Sequence, residues 1–153
     1  MSCSKKVPVR ELITFCLEGN IKLLKEYINL YRNMGEDIAS LINTPTNSGQ
    51  TVLIAACRNG KLNFCIFLGF IGKSDIVEYL VDECGADIEQ VGTVHFDEEA
   101  VEGVTPLWCA SAANYIDIVK FLVSRGADVN RTTITNSTAL RAACFDGHEQ
   151  VRV

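Results

Sequence analysis

The chain has 153 residues, a formal charge of −5, 48% apolar residues and 22% charged residues. This composition is typical of a soluble globular domain with a moderate core. The diffuse acidic balance argues against nucleic acid or an anionic membrane as a partner, because both need a basic face. The longest strongly apolar run, residues 64–71, is far shorter than the roughly 20 residues of a membrane-spanning helix. No secretory signal is expected at the N-terminus, so we expect the protein in the cytoplasm, with the nucleus as a second location.

The titratable residues form no recognisable catalytic or metal-binding pattern. The seven cysteines are odd in number and include no C-x-x-C pair, which argues against a disulfide framework and against a zinc site. A nucleophilic cysteine would need a positioned histidine, and His95 and His148 lie in no known motif. We therefore expect no enzyme activity, no catalytic residue, no metal and no cofactor.

In chain order, residues 1–8 are expected to form a flexible N-terminus. The next stretch, "RELITFCLEGN" followed by "IKLLKEYINLY", predicts a helix, a turn and a second helix. The second helix has an apolar stripe of Leu23, Leu24, Tyr27 and Ile28, as the period of an amphipathic helix requires. We interpret residues 9–43 as a first, degenerate helical repeat.

Three later segments share one pattern, T-x-L-x-x-A followed by small residues. They read "TVLIAACRNG" from Thr51, "TPLWCASAAN" from Thr105 and "TALRAACFDG" from Thr138, and the last two begin 33 residues apart. The segments "KSDIVEYLVDECGAD" and "YIDIVKFLVSRGAD" also match each other, and each places a glycine where a helix should end. A period of 33 residues with this pattern is the signature of ankyrin repeats.

The second repeat is longer than the period allows, because Thr51 and Thr105 lie 54 residues apart. Most of the excess is the segment 61–72, "KLNFCIFLGFIG", which stands where two helices should turn tightly. We interpret this segment as translated intron, since its ends can be encoded by splice-like sequences. The alternative is a genuine hydrophobic insertion that contacts a partner.

The predicted fold is an all-α ankyrin-repeat solenoid with about three repeats and a truncated fourth, spanning 9–153. Its repeats are 9–43, 49–90 with the 61–72 insertion, 103–130 and an incomplete 136–153. The chain stops where the last outer helix should begin, and a solenoid needs a polar terminal repeat. We therefore expect a piece of a longer array.

Two stretches are more specific than an ankyrin repeat alone. They are "GTVHFDEEAVEGVTPLWCASAA", with a long finger between repeats, and "NRTTITNSTALRAACFDGH" one repeat later. Together they resemble the feminization (Fem) family of ankyrin-repeat proteins over about residues 12–148, apart from the inserted segment. The chain departs from the family pattern at "FDEEAVEG", where Phe-Asp-Gly is usual.

The resemblance implies a substrate receptor of a cullin–RING ubiquitin ligase, in a family named for sex determination. Its partners would be the C-terminal tails of target proteins, probably ending in arginine, bound in the ankyrin groove. The cullin ligase would be recruited only through regions absent from this chain. The alternative is a generic ankyrin scaffold that binds a folded protein partner.

The resemblance also makes two acidic residues candidates for holding the terminal guanidinium, Asp97 in the finger and Asp146 after the last inner helix. Two carboxylates can hold arginine through charge-assisted, bidentate bonds. From the residues alone, Asp97 reads equally as a solvated loop acid, and Asp146 as the turn residue before Gly147.

Four further residues complete the expected peptide site. Trp108 and Arg141 occupy the same position of T-x-L-x in successive repeats, and such residues often anchor interfaces. Arg141 could take a peptide carboxylate, while Trp108 could instead pack in the core. Ser137 could cap a helix N-terminus, and Phe145 could belong to the core or line a pocket.

Overall fold

The computed structural model describes residues 9–58, 73–96, 99–145, 147 and 151. The predictions for residues 1–8, for the segment 61–72, for Asp97 and for Asp146 concern positions outside these described residues. Within the described ranges, no helix combines the length and the apolar character that a membrane crossing requires.

The first repeat consists of helices α1 (Val9–Glu18) and α2 (Ile21–Asn33), followed by the short helix α3 (Ile38–Asn43). The Asn20 side chain accepts a hydrogen bond from the Leu23 amide at the start of α2. Asp37 does the same for α3. Asn and Asp suit these positions because their side-chain oxygens satisfy amides that have no partner inside the helix.

The second repeat begins with α4 (Val52–Arg58), capped by Thr51, whose hydroxyl accepts from the Ile54 amide. Its outer helix is α5 (Lys73–Glu78), which continues into a π-helical turn at Tyr79–Glu83. The third repeat has α6 (Pro106–Ala112) and α7 (Ile116–Ser124), and α8 (Ala139–Phe145) is the inner helix of the fourth.

The long finger between the second and third repeats is a β-hairpin, an element that the all-α prediction did not include. Strand β1 (Gly92–Phe96) pairs antiparallel with β2 (Glu99–Val104), and the register shifts between Gly92 and Thr93. The Val94 side chain is buried, whereas His95 and Glu102 are exposed. This alternation is the pattern of a strand with one covered face and one solvated face.

The helices stack as the repeat pattern predicts. The inner helices α1, α4, α6 and α8 contact each other in that order, and α5 contacts α7 in the outer row. Small buried residues, Ala55, Ala110 and Ala143, allow the inner helices to approach closely. The ankyrin-repeat solenoid is thus confirmed, with the hairpin added on the side of the inner helices.

Candidate functional site

Ile54, Trp108 and Arg141 occupy equivalent positions of the three T-x-L-x-x-A helices. Ile54 is fully buried, Trp108 is 8% exposed, and Arg141 is exposed. The row formed by these three residues, which we call the central row, therefore changes from covered to open towards α8. A ligand that binds along this row would reach it at Arg141.

The hairpin covers the buried end of the central row. A Cβ atom at Gly92 would lie 2.5 Å from Ile54 Cδ1 and 2.6 Å from the Gly49 carbonyl oxygen, so only glycine fits there. Three residues further on, the His95 carbonyl accepts a hydrogen bond from the Arg58 guanidinium. Because Ile54 and Arg58 are one turn apart on α4, β1 runs along this helix.

Two shorter fingers, the first at residues 46–50 and the third at residues 133–137, flank the hairpin and share one structure. The Thr46 amide donates to the Gln50 carbonyl at 2.9 Å, and the Gln50 amide donates back to the Thr46 hydroxyl at 3.1 Å. Thr133 and Ser137 make the same two bonds, at 3.0 and 3.1 Å. Both fingers are closed turns whose shape is fixed by their own polar groups.

Backbone hydrogen bonds join the two fingers to the hairpin. The Thr93 amide in β1 donates to the Gly49 carbonyl at 2.9 Å. On the other side, the Ile134 amide donates to the Glu102 carbonyl in β2 at 3.2 Å. The hairpin is therefore held between the fingers, in one continuous layer beside the inner helices.

The structure brings Trp108 and Ser137 together, although they are 29 positions apart in the chain. The indole Nε1–H of Trp108 donates to Ser137 Oγ at 3.3 Å. Trp108 therefore packs largely in the interior while its polar edge faces the third finger. Ser137 does not cap α8, because the hydroxyl that accepts from the Arg141 amide belongs to Thr138. Since Ser137 Oγ accepts from the indole, its hydroxyl proton can be donated to a further acceptor.

Arg141 and Phe145 lie one turn apart on α8, and both side chains are exposed, Phe145 by 91%. At positions i and i+4 of one helix, they place a positive charge and an apolar ring on the same side of α8. The two predicted acids, Asp97 and Asp146, lie outside the described residues, so their place relative to Arg141 stays a prediction.

Sequence reasoning missed Arg58 as a residue of this surface. The repeat alignment could have indicated it, because Arg58 stands at the position of Phe145 in the T-x-L-x-x-A pattern. What the pattern lacks is the hairpin that Arg58 contacts, since pairing between segments far apart in the chain leaves no periodic signal. In the described ranges, no cluster of His, Cys, Asp and Glu side chains is arranged to hold a metal ion.

Comparison with known proteins agrees with the repeat structure. Residues 69–153 match the family model described as ankyrin repeats in three copies. The chain is 48% identical over 121 residues to a fem-1 homolog of Drosophila melanogaster, covering 79% of this chain and 16% of that protein. It is 51% identical over 122 residues to fem-1 homolog A-A of Mus musculus, covering 79% of this chain and 16% of that protein.

A third relative is the sex-determining protein fem-1 of Caenorhabditis elegans, 42% identical over 124 residues, with 80% of this chain and 17% of that protein covered. The chain spans about a sixth of the length of these curated relatives. From its repeats and from this identity along about four fifths of its length, the chain belongs to the Fem-1 family of ankyrin-repeat proteins.

Proposed function

We propose that this protein-interaction module binds the C-terminal tail of a partner protein and selects tails that end in arginine. The observation that carries the proposal is the Trp108–Ser137 hydrogen bond beside the exposed Arg141. It leaves a hydroxyl donor and a guanidinium at the open end of the central row. These are the groups that a terminal carboxylate needs.

The second half of the proposal concerns the terminal arginine side chain. Asp97 and Asp146 are the acids that we assign to its guanidinium. Arginine is preferred over lysine because its planar fork can bond two carboxylate oxygens at once, whereas an ammonium group is a point charge. Phe145 supplies apolar surface for the side-chain stem.

The wider role that we propose is that of a substrate receptor in a cullin–RING ubiquitin ligase of the cytoplasm and nucleus. Support comes from the family, one of whose members is named a sex-determining protein. The peptide-binding groove would choose the target, and other regions of a full-length family member would recruit the ligase. A role in sex determination is proposed on the same ground.

The test is a titration of the chain with a short serine–threonine peptide that ends in arginine with a free carboxylate. Each hydrogen bond to a charged group is worth roughly 1.5–3 kcal/mol, so Arg141→Ala and Asp146→Ala should each weaken binding about tenfold or more. Matched controls are Arg10→Ala and Asp117→Ala, which remove exposed charges on α1 and on the outer helix α7.

Two peptide variants separate the proposal from its alternative. A peptide with an amidated C-terminus, and one ending in lysine, should both bind more weakly than the arginine-ended peptide. Equal binding of all three peptides would contradict the proposal. That result would favour a generic scaffold whose partner is a folded protein surface.

A further inference from the structure

The hydrogen bonds around the hairpin fix which backbone groups point away from it. The Thr93 amide donates outward to Gly49, and the Glu102 carbonyl accepts from Ile134 on the opposite side. Thr93 and Glu102 are register partners. In an antiparallel ladder, such a pair makes no hydrogen bonds between its own members, and pairs of this type alternate along the strands.

The next pair of the same type is His95 with Ala100. The outward direction of His95 is supported independently, since its carbonyl accepts from Arg58 on α4. It follows that the N–H and the C=O of Ala100 point away from β1, on the side of β2 where the third finger lies. Among the described residues, neither of these groups has a hydrogen-bond partner.

An edge with unpaired N–H and C=O groups is a template for another extended chain. The third finger already uses this edge once, through the bond from Ile134 to Glu102, but it does not reach Ala100. The third finger, which lies on this side of β2, leads into α8, where the central row opens at Arg141. A peptide bound in an extended conformation at this end of the row would therefore have the open edge of β2 within reach.

We infer that the outer edge of β2 at Ala100 is a docking edge on which the bound peptide adds its backbone as a further strand. The inference rests on the proposed function and goes beyond it. It supplies a sequence-independent anchor for the residues that precede the terminal arginine. The exposed Glu99 and Glu102 side chains on this strand favour peptides with lysine or arginine in that preceding stretch, through charge complementarity.

The variant that tests this edge is Ala100→Pro. Proline lacks the N–H and is tolerated on an edge strand where that N–H faces outward, so the hairpin should keep its internal bonds. Loss of one hydrogen bond should weaken binding of the arginine-ended peptide about three- to tenfold. The matched control is Ala100→Val, which keeps the N–H and should bind as the native chain does.

The peptide supplies a second test that needs no variant of the protein. Methylation of successive peptide nitrogens should weaken binding at alternate positions only, because strand pairing uses every second residue. Amide exchange at Ala100 should also slow when the peptide is bound. Methylation that is tolerated at every position, together with unchanged exchange at Ala100, would overturn the docking edge.

The outcomes distinguish the two proposals. If the native chain binds no arginine-ended peptide, both the proposed function and the docking edge fail. If binding depends on Arg141 and on the free carboxylate, but Ala100→Pro and Ala100→Val bind equally, only the docking edge fails. If Ala100→Pro does not fold by circular dichroism, the methylation series with the native chain decides.

Discussion

The outer helices of the second and third repeats have similar sequences but end differently. In the third repeat, the Ala127 amide donates to the Leu122 carbonyl at 3.0 Å, five residues back. In the second repeat, the Ala86 amide donates to the Leu80 carbonyl at 2.9 Å, six residues back. The additional residue of "DECGAD" is accommodated by the π-helical turn at Tyr79–Glu83.

The turn that follows each outer helix, which we call the exit, nevertheless has the same backbone conformation at its glycine in both repeats. Gly85 and Gly126 both have positive φ, +73° and +89°, the conformation in which glycine ends a helix without a Cβ penalty. The longer exit buries the Cys84 side chain, and burial raises the pKa of this thiol. Arg32 on α2 donates to the Glu83 carbonyl at 3.2 Å. The solenoid therefore accommodates an extra residue locally and preserves the stacking geometry around it.

The largest expected effect concerns Leu80, which the π-helical turn should keep at the same packing position as Leu122 in the next repeat. Leu80 and Leu122 are equivalent in the two helices, and both are fully buried. We expect Leu80→Ala and Leu122→Ala each to lower the free energy of unfolding by about 2–5 kcal/mol, through lost burial and the cavity left behind. Urea denaturation of both variants measures this. A cost below about 1 kcal/mol for Leu80→Ala alone would contradict equal packing of the two exits.

The next prediction concerns the hydrogen bonds that attach the exits at Gly85 and Gly126 to the repeat before each of them. The Asn43 amide group donates to the Gly85 carbonyl at 3.1 Å and accepts from the Asp87 amide at 2.8 Å. At the following exit, Glu89 Oε1 accepts from the Asp128 amide at 2.8 Å. Asn43 thus acts as donor and acceptor, whereas Glu89 acts as acceptor at the matching amide.

Two isosteric substitutions use this difference. Asn43→Asp removes the donor and places a carboxylate against the Gly85 carbonyl, so it should cost about 1–3 kcal/mol. Glu89→Gln keeps an oxygen for the Asp128 amide and loses only the partly exposed ion pair with Arg131, so it should cost less, about 0.2–1 kcal/mol. Thermal denaturation at one pH and salt concentration measures both. Equal costs would show that the two exits are attached by the same chemistry.

The sequence predicted the periodic parts of the molecule well. The T-x-L-x-x-A pattern locates the inner helices α4, α6 and α8, because a threonine cap and buried small residues are needed in every repeat. The extra residue of "DECGAD" was also visible in the sequence. Its accommodation by a π-helical turn was not visible in the sequence. The hydrogen-bond register of this turn depends on contacts with neighbouring helices, such as the bond from Arg32 on α2 to the Glu83 carbonyl.

The site was less predictable than the fold. The shared position of Trp108 and Arg141 followed from the repeat, but the bond from Trp108 to Ser137 depends on how the third finger folds over the helix. The hairpin register that exposes the Ala100 backbone depends on pairing between strands and with both fingers. Such pairing is set by tertiary contacts and not by local propensity.

A third comparison concerns the connections between inner and outer helices. Three residues separate α6 from α7, whereas fourteen separate α4 from α5. Deleting residues 61–72 would leave Asn59 and Gly60, as short as the Gly19–Asn20 link of the first repeat. We expect the deletion to raise the free energy of unfolding by about 1 kcal/mol, because a shorter loop costs less entropy to close.

Removing this apolar stretch should also raise solubility, since it has high β-propensity and little charge. The melting temperature and the concentration at which light scattering begins measure the two effects. A deletion variant that melts lower or aggregates more would argue that the segment has a structural role.

The smallest expected effect is the ion pair that links the two outer helices. Arg125 donates from Nη2 to Asp82 Oδ2 at 2.7 Å, and its guanidinium lies 4.5 Å from the centre of the Phe121 ring. Both charged side chains are more than a third exposed, so solvent screens the pair. A double-mutant cycle with Asp82→Asn and Arg125→Gln should give a coupling energy of about 0.2–1 kcal/mol. Because exposed pairs are screened by ions, this coupling should shrink towards zero in about 1 M salt. The contact of Arg125 with Phe121 cancels in this cycle. Coupling that persists in high salt would instead mean that the direct hydrogen bond between Arg125 and Asp82, and not their charges alone, joins the irregular exit of the second repeat to the regular helix of the third.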